Sequence, residues 1–209
     1  FVLKRHRVIF GLMPFVFKNK STMKFLIACL GNIGMEYEDT RHNIGFWVAD
    51  RLADQQKVSF TTGRLAQSTL IKHRGRSLVV IKPTTFMNLS GKAINYWMQQ
   101  EQIPIERVLV VVDDIALPIG TLRMKKKGGD AGHNGLNHII QTLGTSEFAR
   151  LRFGIGDDFP KGRQVDYVLG RWKPSEIDII EPRLDIAAEM VLSFTTIGIE
   201  RTMTAYNGK

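Results

Sequence analysis

The amino-acid sequence predicts a single α/β domain, a twisted mixed sheet with a parallel centre surrounded by helices. Short apolar segments alternate along the chain with longer segments of helical periodicity, an order typical of a sheet with helices on both faces. The predicted strand at 107–112 is continuously apolar from Val108 onwards, as in a strand buried on both faces of a parallel sheet. A chain of 209 residues, 44% of them hydrophobic, is sufficient for one such domain.

The first half of the chain predicts a strand, a helix and a hairpin. Residues 24–30 read as a buried strand that ends in a glycine turn at 31–34. Ile44, Val48 and Leu52 recur at helical spacing and predict a helix over 43–56. Glycine and polar residues at 73–76 separate two alternating runs, so a hairpin is expected from 68–72 and 77–82.

The second half predicts two further strands among helices. A second helix is expected at 88–100, a central strand at 107–112 and, after a glycine-rich loop at 128–132, a third helix from Leu136 to Leu143. Residues 150–155 predict another strand. Apolar spacing from Ile177 to Val191 indicates a helical C-terminal region, in which Pro182 is expected to start a separate helix.

Composition and charge limit the setting of this domain. Residues 1–22 hold five of the 29 basic residues and no acidic one, and they predict a leader or an upstream extension before a domain at 23–209. The longest apolar runs fall far short of the roughly 20 residues that cross a bilayer, so a soluble protein is expected. The single cysteine, Cys29, lies in an apolar strand, which predicts buried packing and a reducing, cytoplasmic compartment.

Polar side chains follow the predicted strands, where an open α/β sheet places its ligand crevice. His42 and Asn43 come after the first strand and its turn, and Asp113 and Asp114 come directly after the central strand. A histidine beside a carboxylate can remove a proton near neutral pH. Taken singly, each of these residues could equally be a cap, a turn or a surface residue.

Four motifs taken together are far more specific, and they closely resemble those of the bacterial-type peptidyl-tRNA hydrolases. They are Gly31-Asn32-x-Gly34, Tyr37-x-x-Thr40-Arg41-His42-Asn43-x-Gly45, Pro83-Thr84-Thr85-Phe86-Met87-Asn88-x-Ser90-Gly91 and Gly132-His133-Asn134-Gly135-Leu136. The resemblance extends from Met23 to about Tyr206. It implies a monomer without cofactor or metal that cleaves the ester between a peptide and the 3′-terminal ribose of tRNA.

The resemblance also implies roles for individual residues. His42 would be the catalytic base, Asp113 the carboxylate that orients it, and Asn32 a residue that holds His42 or the ester. The residues expected around the scissile bond are Tyr37, Met87, Asn88, His133 and Asn134. The residues expected to contact tRNA phosphates are Lys125, Lys126, Lys127, Arg150 and Arg152.

Two departures from the family pattern carry expectations of their own. Ile33 stands where the family usually has proline, so the first turn is less rigid by sequence. Asp130 introduces a negative charge into the glycine loop, where it is expected to weaken phosphate binding or to pair with a lysine.

Other functions receive less support from the sequence. The 31–34 turn lacks the three glycines of a dinucleotide-binding fingerprint, and the chain has no Gly-x-Ser-x-Gly elbow of a serine hydrolase. His133 and His138 are five residues apart and would not share one helical face for a metal. A noncatalytic RNA-binding relative remains as the alternative, and turnover of a peptidyl-tRNA separates it from an enzyme.

Overall fold

The computed structural model describes residues 22–208, and the expectation for residues 1–22 lies, apart from Thr22, outside this range. The strands are β1 Met23–Cys29, β2 Thr61–Thr62, β3 Ala66–His73, β4 Arg76–Pro83, β5 Val108–Asp114, β6 Leu122–Lys125 and β7 Ala149–Gly154. The helices are α1 Ile44–Gln56, α2 Ser90–Glu101, α3 Asn134–Leu143, α4 Gln164–Val168, α5 Pro174–Ile197 and α6 Ile199–Tyr206. Short 3₁₀ turns lie at Met35–Tyr37, Arg41–Asn43, Met87–Leu89 and Ile105–Arg107, and the second and third of these lead directly into α1 and α2.

The seven strands form one mixed sheet in the order β2-β3-β4-β1-β5-β7-β6. The four central strands β4, β1, β5 and β7 are parallel, and the outer strands pair antiparallel with their neighbours. The predicted hairpin is confirmed as β3 and β4, and the parallel centre of the predicted sheet is confirmed as well.

Helices cover both faces of the sheet because the central strands are apolar on both sides. Along β1, Phe25, Ile27 and Cys29 enter one buried cluster. Leu26 and Ala28 enter the other, as the two-residue period of a strand requires. The first cluster includes residues of α1 and α5, and the second includes residues of α2 and α3. Cys29 is fully buried, as predicted, and burial raises the pKa of its thiol.

The prediction that Pro182 starts a helix is wrong. Pro182 lies inside the continuous helix α5, which instead begins with Pro174 in its first turn. A proline within a helix lacks an amide hydrogen to donate, and its ring crowds the preceding turn. The helix continues because Pro182 is exposed while Ile180 and Leu184 on either side are buried, so packing holds the helix together across it.

Four elements were not predicted, namely the strands β2 and β6 and the helices α4 and α6. Strand β6 has only four residues, with Leu122 and Met124 buried and Arg123 and Lys125 exposed. The sequence also gave no separate signal for α4 or α6. In the described part of the chain, none of the helices has both the length and the apolar character needed to cross a bilayer.

Candidate active site

The site lies at the carboxyl ends of the parallel strands, where β1 and β5 are neighbours. Asp113 is near the end of β5, and His42 lies in the 3₁₀ turn that leads into α1. The start of α1 abuts the end of β1, because an added Cβ at Gly45 would lie 2.4 Å from the Leu30 carbonyl oxygen. This close approach of helix to strand brings His42 beside Asp113.

His42 and Asp113 form a buried hydrogen-bonded pair. The Nδ1 atom of His42 is 2.9 Å from each carboxylate oxygen of Asp113, and the two residues are only 8% and 4% exposed. Burial by itself lowers the pKa of His42, but the charge of Asp113 and its hydrogen bond raise it above the usual value. Burial by itself raises the pKa of Asp113, but His42 and His133 hold it well below its usual range. The Asp113 carboxylate is therefore charged, and His42 is a stronger base than an isolated histidine.

A second histidine contacts the same carboxylate. The Nε2 atom of His133 is 3.0 Å from Oδ1 of Asp113, and the two imidazole rings are 4.9 Å apart. One side-chain nitrogen or oxygen atom from each of His42, Asp113 and His133 lies within 4.8 Å of the other two. The hydrogen bonds within this set account for that convergence.

A cavity of about 360 Å³ opens beside the two histidines. Of the predicted site residues, it is lined by His42, Asp113, His133, Asn134, Lys125, Arg150 and Arg152. The amide side chain of Asn134, the first residue of α3, is exposed at this cavity. Gln164, Val165 and Val168 of α4 also line the cavity, and the sequence did not single them out.

Asn32 is hydrogen-bonded to Asn43 and Met87 and not to His42, and its expected contact with the ester stays a prediction. Its backbone N–H donates to Oδ1 of Asn43 at 2.8 Å, and its carbonyl oxygen accepts from Nδ2 of Asn43 at 3.0 Å. Its side-chain Oδ1 accepts from the Met87 backbone amide at 2.8 Å. Among residues 22–208, the hydrogen bonds of Asn32 thus go to Asn43 and Met87 rather than to His42. They join the first loop to the turn that carries Met87 and Asn88.

The remaining predicted substrate residues, Tyr37, Met87 and Asn88, lie on two other loops and do not line this cavity. Met87 is buried, while Asn88 is exposed in the same 3₁₀ turn. Tyr37 is half-buried in the turn at Met35–Tyr37, and its carbonyl oxygen accepts a hydrogen bond from the Thr40 hydroxyl. These three residues come from the loops after β1 and β4.

The predicted phosphate-binding residues fall into three groups. Lys125 is exposed at the cavity, whereas Lys126 and Lys127 lie beyond it in exposed ion pairs with Glu200 and Glu147.

Arg152 lines the same cavity as Lys125, and its side chain is largely buried. Its guanidinium forms an ion pair with Asp114, the second residue of the aspartate pair.

Arg150 contacts the glycine loop. It is 2% exposed, and its guanidinium donates to the carbonyl oxygens of Gly129 at 2.7 Å and Ser146 at 3.3 Å. These two contacts indicate that Arg150 supports the glycine loop. Arg150 also lines the cavity, and its contact with a tRNA phosphate stays a prediction.

Asp130 is likewise committed to the glycine loop. Its carboxylate accepts from the Gly132 amide at 2.7 Å and from Nδ2 of Asn137 at 3.4 Å. The hydrogen bond from Gly132 is the largest factor that lowers the pKa of Asp130. The expected pairing with a lysine is thus replaced by an Asp-centred turn before α3.

Arg41, which sequence reasoning did not assign, connects the base to the α4 region. Its Nη2 donates to both carboxylate oxygens of Glu176, at 3.0 and 2.7 Å, and its Nη1 donates to the Arg171 carbonyl at 2.9 Å. The guanidinium carbon lies 4.4 Å from the centre of the Tyr167 ring. The only sequence signal for this role is that Arg41 adjoins His42.

Known proteins with similar sequences and folds share one description. A family model described as peptidyl-tRNA hydrolase matches residues 26–209. The peptidyl-tRNA hydrolase of Bacteroides fragilis is 56% identical over 187 residues, which cover 90% of this chain and 100% of that protein. The one from Cytophaga hutchinsonii is 54% identical over the same length and coverage.

A crystal structure of peptidyl-tRNA hydrolase from Acinetobacter baumannii superposes with a TM-score of 0.83 at 32% identity. The match covers 90% of this chain and 96% of that one. Sequence, fold and the paired His42 and Asp113 agree, and the chain belongs to the peptidyl-tRNA hydrolase family.

Proposed function

We propose that the protein hydrolyses the ester bond between a peptide and the 3′-terminal ribose of tRNA, releasing both. The observation that carries the proposal is the buried His42–Asp113 pair at the wall of a 360 Å³ cavity. The family described above supplies the substrate class. The pair supplies the general base that ester hydrolysis by water needs.

The pair sets the direction of proton transfer. When Nδ1 of His42 donates to Asp113, the lone pair of the neutral ring is on Nε2, which accepts a proton from the attacking water. The negative charge of Asp113 stabilises the imidazolium that results. General-base catalysis of this kind contributes about 10² to 10⁴ in rate.

The exposed amides of Asn134 and Asn88 are suited to bind the ester. An amide N–H directed at the carbonyl oxygen stabilises the negative charge that develops there, and one such donor contributes up to about 4 kcal/mol. Asn32 acts by holding the Met87–Asn88 turn in place through its bond to the Met87 amide.

The RNA binds through Lys125 and Arg152 at the same cavity. Phosphate contacts are independent of base sequence, which suits an enzyme that acts on many different tRNAs.

We further place this activity in the cytoplasm, in a monomer that recycles tRNA without a cofactor.

The test compares the wild-type protein with His42→Ala on a peptidyl-tRNA that carries a blocked amino group. We expect hydrolysis by the wild type, a loss of at least about 10² in kcat/KM for His42→Ala, and similar tRNA affinity for both. His73→Ala is the matched control, because His73 lies in the hairpin strand β3 and should be dispensable. Binding of tRNA without turnover by the wild type would leave the noncatalytic RNA-binding alternative.

A further inference from the structure

The Asp113 carboxylate is shared between two imidazole rings, and only one of them is explained by the reaction. His42 occupies both carboxylate oxygens at 2.9 Å, and His133 contacts Oδ1 at 3.0 Å. Both rings are mostly buried, with side chains 10% exposed, and the Asp113 side chain is 2% exposed. A buried carboxylate in these surroundings requires donors, because an unpaired buried charge is costly.

The backbone at the start of α3 determines which nitrogen of His133 carries the proton. The Nδ1 atom of His133 accepts from the backbone amides of Gly135 at 3.1 Å and Leu136 at 3.3 Å. Backbone amides can only donate, so Nδ1 must present a lone pair. A proton on Nδ1 would face two N–H groups at the positive end of the helix dipole. The ring proton is therefore on Nε2, which points at Asp113.

We propose that His133 is a positioning residue that transmits the orientation of α3 to the catalytic base. The first amides of α3 hold the ring in its Nε2–H form, its proton fixes the Asp113 carboxylate, and Asp113 fixes His42. This inference rests on the proposed function and assigns His133 a task other than contact with the substrate. In sites of comparable design, loss of a group that orients a reactive one reduces activity by about 10- to 100-fold.

The same arrangement predicts a direction for the pH dependence. The Nε2–H group of His133 takes up part of the carboxylate's negative charge, so its loss leaves more of that charge to stabilise the protonated form of His42. The acidic limb of kcat/KM therefore moves to higher pH when the donor is removed. The other charged groups at this cavity are Asp114 of β5, Lys125 of β6, Asp130 of the glycine loop, and Arg150 and Arg152 of β7.

Two substitutions separate the orientation of Asp113 from the capping of α3. Asparagine is a strong N-cap residue, so His133→Asn keeps an acceptor for the α3 amides, but its side chain is too short to reach Asp113. Glutamine is longer, so His133→Gln restores a donor near the position of Nε2. All other charged groups of the cavity are the same in these proteins, so differences between them report on the donor at position 133.

We expect His133→Asn to unfold within a few degrees of the wild-type Tm and to bind tRNA equally well. Its kcat should be at least about tenfold lower, and its acidic limb should lie at higher pH. His133→Gln should recover part of the lost kcat and should return the acidic limb part of the way to the wild-type pH. An acidic limb that is unchanged or lowered in His133→Asn, or a kcat equal to the wild type, would overturn the proposal.

Ring-nitrogen NMR of the ligand-free protein tests the tautomer without any activity. With ¹⁵N-labelled histidine, the His133 signals, assigned by their loss in His133→Asn, should show a protonated Nε2 and an unprotonated Nδ1 at neutral pH. A proton on Nδ1 would refute the arrangement whatever the enzyme hydrolyses. Absence of peptidyl-tRNA turnover with the expected tautomer would instead refute the proposed function and leave only the hydrogen-bond arrangement of His133 and Asp113 standing.

Discussion

At the scale of single residues, the chemistry depends on the charge balance between His42 and Asp113. His42 acts as a base only when neutral, and its pKa lies above the usual value because Asp113 outweighs burial. The activity should therefore rise with pH through an acidic limb above about 6.5. A rate profile of kcat/KM between pH 5 and 9 measures this limb.

Asp113→Asn removes the charge that raises the pKa of His42. We expect the acidic limb of this variant to move to lower pH, and kcat/KM to fall by about 10² or more, because the imidazolium loses its counter-charge. Asp114→Asn is the neighbouring control, because Asp114 pairs with Arg152 and not with His42. A limb at the same pH in Asp113→Asn and the wild type would contradict this account.

The same shift has a consequence for stability. The pKa of His42 is raised in the folded protein. Its contact with Asp113 therefore contributes fully to stability when the pH is below the pKa of histidine in the unfolded chain, about 6.5. That contribution is lost as the pH rises through the folded-state pKa. The enzyme thus works in the pH range where the stabilisation from protonated His42 and Asp113 has been lost.

At the scale of elements, Pro182 predicts a simple route to a more stable protein. Proline in a helix interior is about 3 kcal/mol less favourable than alanine, partly offset by the flexibility that alanine gives the unfolded chain. Pro182→Ala should therefore raise the free energy of unfolding by about 2 kcal/mol, because the exposed site loses no buried contact. Denaturant titration measures the change. Glu189→Ala, exposed on the same helix, should change it by less than about 0.5 kcal/mol.

The elements that the sequence predicted well are those with a strong local signal. Strand β1 is an apolar run that is buried from Phe25 onwards, and the hairpin turn contains Gly75 with φ of +74°, so local pattern was enough for both. The continuity of α5 across Pro182 depends on packing, which a local rule cannot include. The short strand β6 is stabilised mainly by pairing with β7, which the sequence of Leu122–Lys125 does not reveal.

The site was predicted to a similar degree and for similar reasons. His42, in the loop between β1 and α1, and Asp113, near the carboxyl end of β5, could be brought together by the rule that ligands bind at the carboxyl ends of parallel strands. The burial of Arg150 could not be foreseen, because a basic residue on a strand gives the same signal whether it points to solvent or to a carbonyl. The roles of Asn32 and Arg41 depend on contacts with distant segments.

At the scale of the whole molecule, the basic residues that line the cavity should determine how tRNA binding depends on salt. Lys125 and Arg152 lie at the cavity, and contact with tRNA phosphates would release counterions. We expect log affinity for tRNA to fall linearly with log salt, and Lys125→Ala to reduce the slope by roughly 0.7 to 0.9. Filter binding or anisotropy at several salt concentrations measures this. A slope unchanged in Lys125→Ala would argue against the contact.

Lys24→Ala provides the control for this measurement. Lys24 is basic and pairs with Glu101, but it lies near the start of β1, at the opposite end of the strand from the site. Its loss removes one positive charge without removing a phosphate contact, so the slope should remain that of the wild type.

The burial of Cys29 in the central strand has a practical consequence. The sequence contains a single cysteine, and its thiol is fully enclosed while the protein is folded. Reaction of this thiol with an added alkylating reagent therefore requires the sheet to open, so its labelling rate counts opening events. The chain thus carries its own unfolding probe, in a position remote from solvent and without any engineered tag.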